Sequence, residues 1–128
     1  MEQLSIPAEI RTPELQFNWS TGTFTLRGES YPEDVRKFYD APVKLFREWV
    51  AADCGTPILF EFDLIYFNSS TAKVLLELFS TIEEAATKGR YARVIWHCAS
   101  DDDNSRELGQ DLGAELKAAS FQLCEAVN

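Results

Sequence analysis

The stretch Leu59-Phe60-Glu61-Phe62-Asp63-Leu64-Ile65-Tyr66-Phe67-Asn68-Ser69-Ser70-Thr71-Ala72-Lys73 decides how the rest of the chain is read. It opens by alternating, with Phe60, Phe62 and Leu64 on one side and Glu61 and Asp63 on the other, the period of a half-buried strand. The cluster Asn68-Ser69-Ser70-Thr71 breaks that period and an amphipathic helix follows. Ala72, Leu75, Leu76, Phe79, Ile82 and Ala86 mark its apolar face, and Lys73, Glu77, Glu84 and Lys88 its outer face. Gly89 is a natural residue to end it. Small hydroxyl residues therefore stand where a strand hands over to a helix N-terminus, among unpaired N–H groups and at the positive end of the helix dipole. An anion fits there, whether a bound phosphate or a covalently attached one. The plainer alternative is that Asn68 or Ser69 serves only as an N-cap.

Upstream, residues 1–14 carry Pro7 and Pro13 with mixed polarity and read as a loose lead-in, its first dozen residues above all. Gln16–Trp19 and Thr23–Leu26 both alternate around Ser20-Thr21-Gly22, which predicts a hairpin with Phe17, Trp19, Phe24 and Leu26 facing the core and Gly28-Glu29 closing it. Ser30-Tyr31-Pro32-Glu33 has the form of a capping box. Pro42 predicts an interrupted helix, with Asp40 capping a second segment in which Val43, Phe46, Trp49 and Val50 recur at helical spacing as core. Downstream, residues 92–97 predict a strand ending at His97-Cys98. The acidic run Asp101-Asp102-Asp103 follows, then a helix marked by Leu108, Leu112 and Leu116, then a short edge strand at Phe121-Gln122-Leu123. The order predicts one α/β domain over 1–128, a small mixed sheet packed with helices. The strands at 58–64 and 92–97 should be parallel, joined by a right-handed crossover. Ligands on such sheets gather outside the strand carboxyl ends, where Ser69–Thr71 and Asp101–Asp103 both fall.

The bulk numbers narrow the function. A chain of 128 residues with 45% hydrophobic content is long enough for one real core. Its formal net charge of −9 repels phosphate backbones and anionic lipid surfaces, which argues against nucleic-acid binding. No apolar run approaches a membrane span and no signal pattern opens the chain, so no membrane insertion and a cytosolic location are expected. Cys54, Cys98 and Cys124 share no C-x-x-C spacing and read as reduced, mostly buried thiols. His97, the one histidine, reads as packed or hydrogen-bonded rather than as a ligand.

Three site readings follow from the residues. Ser69 or Ser70 as a nucleophile would need His97 as its base, yet no G-x-S-x-G elbow surrounds the serines. No phosphate-binding glycine loop of a known type is present. The run Asp101, Asp102 and Asp103 reads as a solvated loop with an N-cap; the sharper alternative is a divalent-metal or small-ligand site of receiver type, with Asp63. The third reading is a phosphorylated turn at Ser69–Thr71.

Several stretches taken together are distinctive. Gly28-Glu29-Ser30-Tyr31-Pro32-Glu33-Asp34, Leu64 to Lys73, Trp96-His97, the acidic loop leading into Glu107-Leu108-Gly109, and Phe121-Gln122-Leu123 resemble the SiaC-type regulatory phosphoproteins of bacterial biofilm and cell-aggregation pathways. That family has a fold like the anti-sigma-factor antagonists (STAS), and the resemblance runs from about Thr12 to Leu123. It implies a non-enzymatic partner switch without a cofactor. Members are phosphorylated by a dedicated Ser/Thr kinase and dephosphorylated by a PP2C-type phosphatase; the unphosphorylated form binds and activates a diguanylate cyclase in cyclic-di-GMP signalling. The acceptor implied here is Ser69, where the family pattern has threonine, and this departure leaves Ser70 and Thr71 open as alternatives. Tyr31, Glu33, Tyr66, Asn68, Ser70, Thr71 and Lys73 are the implied partner contacts. The acidic loop is longer here than the family pattern.

Overall fold

The strand quoted above is the fourth of six in a single sheet. In the computed structural model, which describes residues 3–52 and 55–126, β1 (Leu4–Ile6), β2 (Glu14–Asn18), β3 (Thr23–Ser30), β4 (Ile58–Phe67), β5 (Ala92–Ala99) and β6 (Ser120–Ala126) lie side by side in chain order. The first three form an antiparallel meander, and β3 to β6 run parallel. The parallel connections are α1 (Val35–Ala51), α2 (Ser69–Thr87) and α3 (Asp103–Ala114). Right-handed crossovers that step in one direction leave their helices on one face of a sheet. The core is therefore the layer between that face and the helices.

Into it point Leu15, Phe17, Phe24, Leu26, Phe60, Phe62, Val94 and Trp96 from the sheet, and Tyr39, Phe46, Leu75, Phe79 and Ile82 from α1 and α2. Phe24 and Phe46 meet edge-to-face at 5.0 Å, and Phe17 and Phe60 at 5.6 Å. Each such ring contributes roughly 1.5–3 kcal/mol by leaving water, and a favourable ring pair about 0.5–1.5 more. The alternation that places these residues inward turns Glu61, Asp63, Arg93 and His97 toward the uncovered face.

The hairpin, the core role of Val43 and Phe46, and the parallel pairing of β4 with β5 are as the pattern predicts. Gly22, at φ 72°, makes the tight turn; a Cβ there would sit 2.0 Å from the Pro57 carbonyl oxygen, against which the turn is pressed.

Elsewhere the structure corrects the local reading. The lead-in is not all loose: Leu4 and Ile6, half-buried against the core, pair through β1 with Phe17 and Leu15. Gly28-Glu29 closes the hairpin, whose last pair is Glu14 with Arg27, but it does not end the strand. β3 continues to Ser30 through a register shift at Gly28/Glu29, where Gly28 takes φ 119°. Ser30-Tyr31-Pro32-Glu33 is not a capping box, because Ser30 is still paired in the sheet and Asp34 caps α1 by accepting from the Lys37 N–H. Pro42 does not divide the helix. It sits buried beside Tyr39, Val43 and Phe46 within one continuous α1, so tertiary packing outweighs the lost backbone bond. Leu76 is half-exposed, and Val74 and Leu78 take its place inside. Leu116 lies past the end of α3. Cys98 is buried and Cys124 half-buried; Cys54 falls outside the described residues.

A clasped strand-to-helix turn as the candidate functional site

β4 runs three residues beyond Leu64, which carries Ile65, Tyr66 and Phe67 out to the carboxyl edge of the sheet. Phe67 turns back toward Trp96, at 6.2 Å between rings. Ile65 and Tyr66 turn outward and are 71% and 53% exposed, high values for large apolar side chains. Tyr66 packs edge-to-face on Tyr31 at 5.6 Å. Beside them the Tyr31 N–H donates to the Arg11 carbonyl, and the Arg11 guanidinium binds Glu33 at 2.7 Å.

Asn68 then ends the strand and caps α2, its Oδ1 accepting from the Thr71 N–H at 2.9 Å. Its own N–H donates to the Ser30 carbonyl at 3.1 Å, so the turn is stitched to the end of β3. The four hydroxyl-cluster residues do not share one fate. Ser69 and Ser70, in the first turn of α2, are exposed. Thr71 is fully buried. Its Oγ1 lies 2.8 Å from the Ser30 Oγ and donates to the Ser30 carbonyl at 3.1 Å. The Ser30 Oγ in turn meets the Tyr39 hydroxyl at 2.6 Å. Burial pushes the Tyr39 hydroxyl up to about 12, against the smaller pull of its hydrogen bonds with Ser30 and Thr71. Three hydroxyls from β3, α1 and α2 thus form a sealed clasp directly under an exposed pair of serines.

The sequence leaves Thr71 open as an acceptor and as a partner contact; the structure removes it from both, since its oxygen is spent inside. Tyr31, Glu33, Tyr66, Asn68, Ser69 and Ser70 are brought together at one edge. Lys73 is exposed one turn along α2 from Ser69. Tyr39, Ser30, Arg11 and Ile65 belong to this site too. Only the alternation of β4, extended three residues further, could have flagged Ile65.

The metal and hydrolase readings lose their geometry. Asp63 faces Arg27 at 3.7 Å, Asp102 caps α3 through the Ser105 N–H at 3.0 Å, Asp103 binds Arg106 at 2.7 Å, and Asp101 is exposed. Asp63, Asp102 and His97 do share a cleft of about 310 Å³. Among the described residues, however, no three acidic, histidine or cysteine side chains stand close enough to hold a metal ion. His97 lies on the uncovered face with Nε2 3.5 Å from Glu61, and neither Ser69 nor Ser70 hydrogen-bonds to it. A larger groove of about 730 Å³ between α1 and α2 opens beside Gly55 and Arg90, which precede β4 and β5, at the opposite end of the sheet from Ser69. Its cations are already engaged, Arg47 by Glu77, Lys88 by Glu84, and Arg90 by two backbone carbonyls and the face of Trp49.

A family model described as "SiaC family regulatory phosphoprotein" matches residues 6–126. The chain belongs to the SiaC family. An uncharacterized protein of Pseudomonas aeruginosa strain UCBPP-PA14 is 29% identical over 114 residues, covering 87% of each chain. Apo-SiaC from Pseudomonas aeruginosa superposes with a TM-score of 0.84 at 28% identity, over 99% of this chain and 100% of that one. A chain of the crystal structure of the diguanylate cyclase SiaD in complex with its activator SiaC, from the same organism, gives 0.85 at 26% identity, over 94% and 98%. The mixed α/β fold with six strands and three helices is thus the fold of SiaC.

Proposed function

We propose that this chain is a phosphorylation-gated regulator that, unphosphorylated, docks on a diguanylate cyclase and activates it, with Ser69 as the gate. One observation carries the reading: an exposed serine in the first turn of α2 follows closely on the exposed Ile65 and Tyr66 at the end of β4, where Tyr66 packs on the half-buried Tyr31. Exposed apolar side chains of this kind suit protein docking, and a phosphate placed just after them would stand in the way. The SiaC of Pseudomonas aeruginosa, described as the activator of SiaD, supplies the class of partner. A Ser/Thr kinase would set the mark and a PP2C-type phosphatase remove it, both reaching Ser69 or Ser70 from solvent in the cytoplasm. The chain itself performs no chemistry in this scheme. Its contacts with the cyclase would be Tyr31, Glu33, Tyr66, Asn68, Ser70 and Lys73.

Magnitudes decide how the gate works. Within the domain, the helix dipole favours a negative group at Ser69 by only ~0.3–1 kcal/mol. At an interface the same group loses its water, and an unpaired buried charge costs several kcal/mol, where 1.4 kcal/mol is about tenfold in affinity. Exclusion of the partner wins over any internal gain. The test is activation of a SiaD-type cyclase from the same host by wild-type protein, Ser69→Ala and Ser69→Asp. Wild type and Ser69→Ala should activate and Ser69→Asp should not. Equal activation by Ser69→Asp would overturn the gate, and phosphopeptide mapping that finds Ser70 instead would move it by one residue.

A further inference from the structure

The sheet ends differently on its two sides. β1 is three residues long and is followed directly by Pro7, two features that keep an edge from being extended. β6 has neither. It runs seven residues in unbroken register with β5, from Arg93 opposite Ser120 to Ala99 opposite Ala126. It contains no proline and no lysine, and among the described residues no strand pairs with its outer side. Alternate N–H and C=O groups of a strand so placed point away from the sheet and remain available for pairing. Phe121 and Leu123 pack against the core, so the strand is anchored before any neighbour arrives.

Its surroundings select what fits. From Asp101 to Ala126 the chain carries seven acidic side chains against two basic ones. Asp103, Glu107, Asp111 and Glu115 are exposed on α3 or at its end. Arg106, one of the two bases, is occupied by Glu125 at 2.6 Å and Asp103 at 2.7 Å. A second copy of the chain would set one acidic flank against another, which opposes self-pairing. We propose that the β6 edge is a docking site for an extended segment of a protein partner rich in Lys or Arg, added to the sheet as a seventh strand. Main-chain hydrogen bonds supply the affinity, and the acidic flank selects the basic segment. This site stands two strands away from the strand that leads into Ser69, and does not depend on that residue's state.

The probe is a peptide of alternating Lys and Val, long enough to match β6, titrated into isotope-labelled full-length protein. Its control is the same peptide N-methylated at every residue, which keeps the charges and side chains but leaves no backbone N–H on either edge to pair as a strand. The unmodified peptide should shift the amide resonances of Ser120–Ala126 and slow their exchange, with the methylated one weaker by about tenfold or more. The combined change Glu107→Lys, Asp111→Lys and Glu115→Lys should weaken the unmodified peptide by about tenfold. Equal binding of both peptides would reduce the effect to bulk charge attraction and overturn the proposal. So would binding that leaves β6 unperturbed, an unaffected charge-reversed variant, no binding at all, or a concentration-dependent dimer of the free protein through β6.

Discussion

Tyr39 carries the only tyrosine hydroxyl sealed in the core, and its cost is met by Ser30 and, through it, Thr71. Because its folded-state pKa is raised, the native state holds a proton that the unfolded chain releases near pH 10. Stability from this group is therefore fully present below about pH 10 and is lost as pH climbs toward about 12. Urea midpoints from pH 8 to 11 should fall more steeply for wild type than for Tyr39→Phe, the difference approaching about 1.4 kcal/mol per pH unit above the ordinary tyrosine value. At neutral pH the same substitution should cost only about 1 kcal/mol, since Ser30 and Thr71 keep each other. Parallel pH profiles for the two proteins would show that the hydroxyl is not sealed. None of this clasp was legible locally. Ser30 and Thr71 are 41 residues apart and meet only because β3 and β4 pair in parallel, a long-range fact. The spacing of Ser30 and Glu33 satisfied a capping rule that the sheet then overrode. The exposed serines, by contrast, were readable, because the break in alternation after Phe67 and the capping chemistry of Asn68 are both local.

At the scale of elements, α3 shows most clearly where propensity and packing disagree. Gly109 and Gly113 sit in a helix, where alanine would ordinarily be favoured by about 1 kcal/mol. A Cβ at Gly109 would stand 2.6 Å from the Trp96 ring, and one at Gly113 2.5 Å from Phe121. Trp96 cannot yield cheaply, being buried with its Nε1 donating to the Ser105 carbonyl at 3.0 Å. Overpacking of roughly 1–3 kcal/mol should therefore outweigh the propensity gain, and Gly109→Ala should lower the urea midpoint. A rise would mean that α3 is free to lift from the sheet. The loop after α3 is held by a different device. Glu83 of α2 accepts from the backbone N–H groups of Lys117, Ala118 and Ala119 at 2.9 Å each. Partial burial pulls its carboxyl up, but those three amides outweigh it and hold the group below its ordinary value. Its stabilisation is thus present above the unfolded carboxyl pKa and disappears as pH falls through the lower, folded one. Glu83→Gln should be less stable than wild type at pH 7, with the gap narrowing on acidification below about pH 4; a gap that does not vary with pH would leave the carboxylate no special role. The strands and helices themselves were largely visible from periodicity. Their limits were not, since β1, the continuation of β3 and the unbroken α1 all depend on what the neighbouring layer covers.

Considered as a whole, the molecule is a one-sided sheet whose helices brace its middle and whose carboxyl edge presents Ser69 from a rigid base. For the gate proposed at Ser69, that arrangement favours a charge that stands in a partner's way over one that reshapes the domain. The serine side chain is already in water, and Thr71, the hydroxyl of the same turn that reaches the core, is held by Ser30 and not by Ser69. A negative group at Ser69 changes the internal balance by no more than ~1 kcal/mol, and in the favourable direction. For a chain of 128 residues that corresponds to a shift of only a few degrees in melting temperature. Ser69→Asp should consequently melt within a few degrees of wild type and show the same hydrogen-exchange protection in β4 and along α2, even where it no longer engages a cyclase. Loss of protection spreading from α2 into β3 would point instead to a conformational switch, with the clasp under the turn as the part that opens.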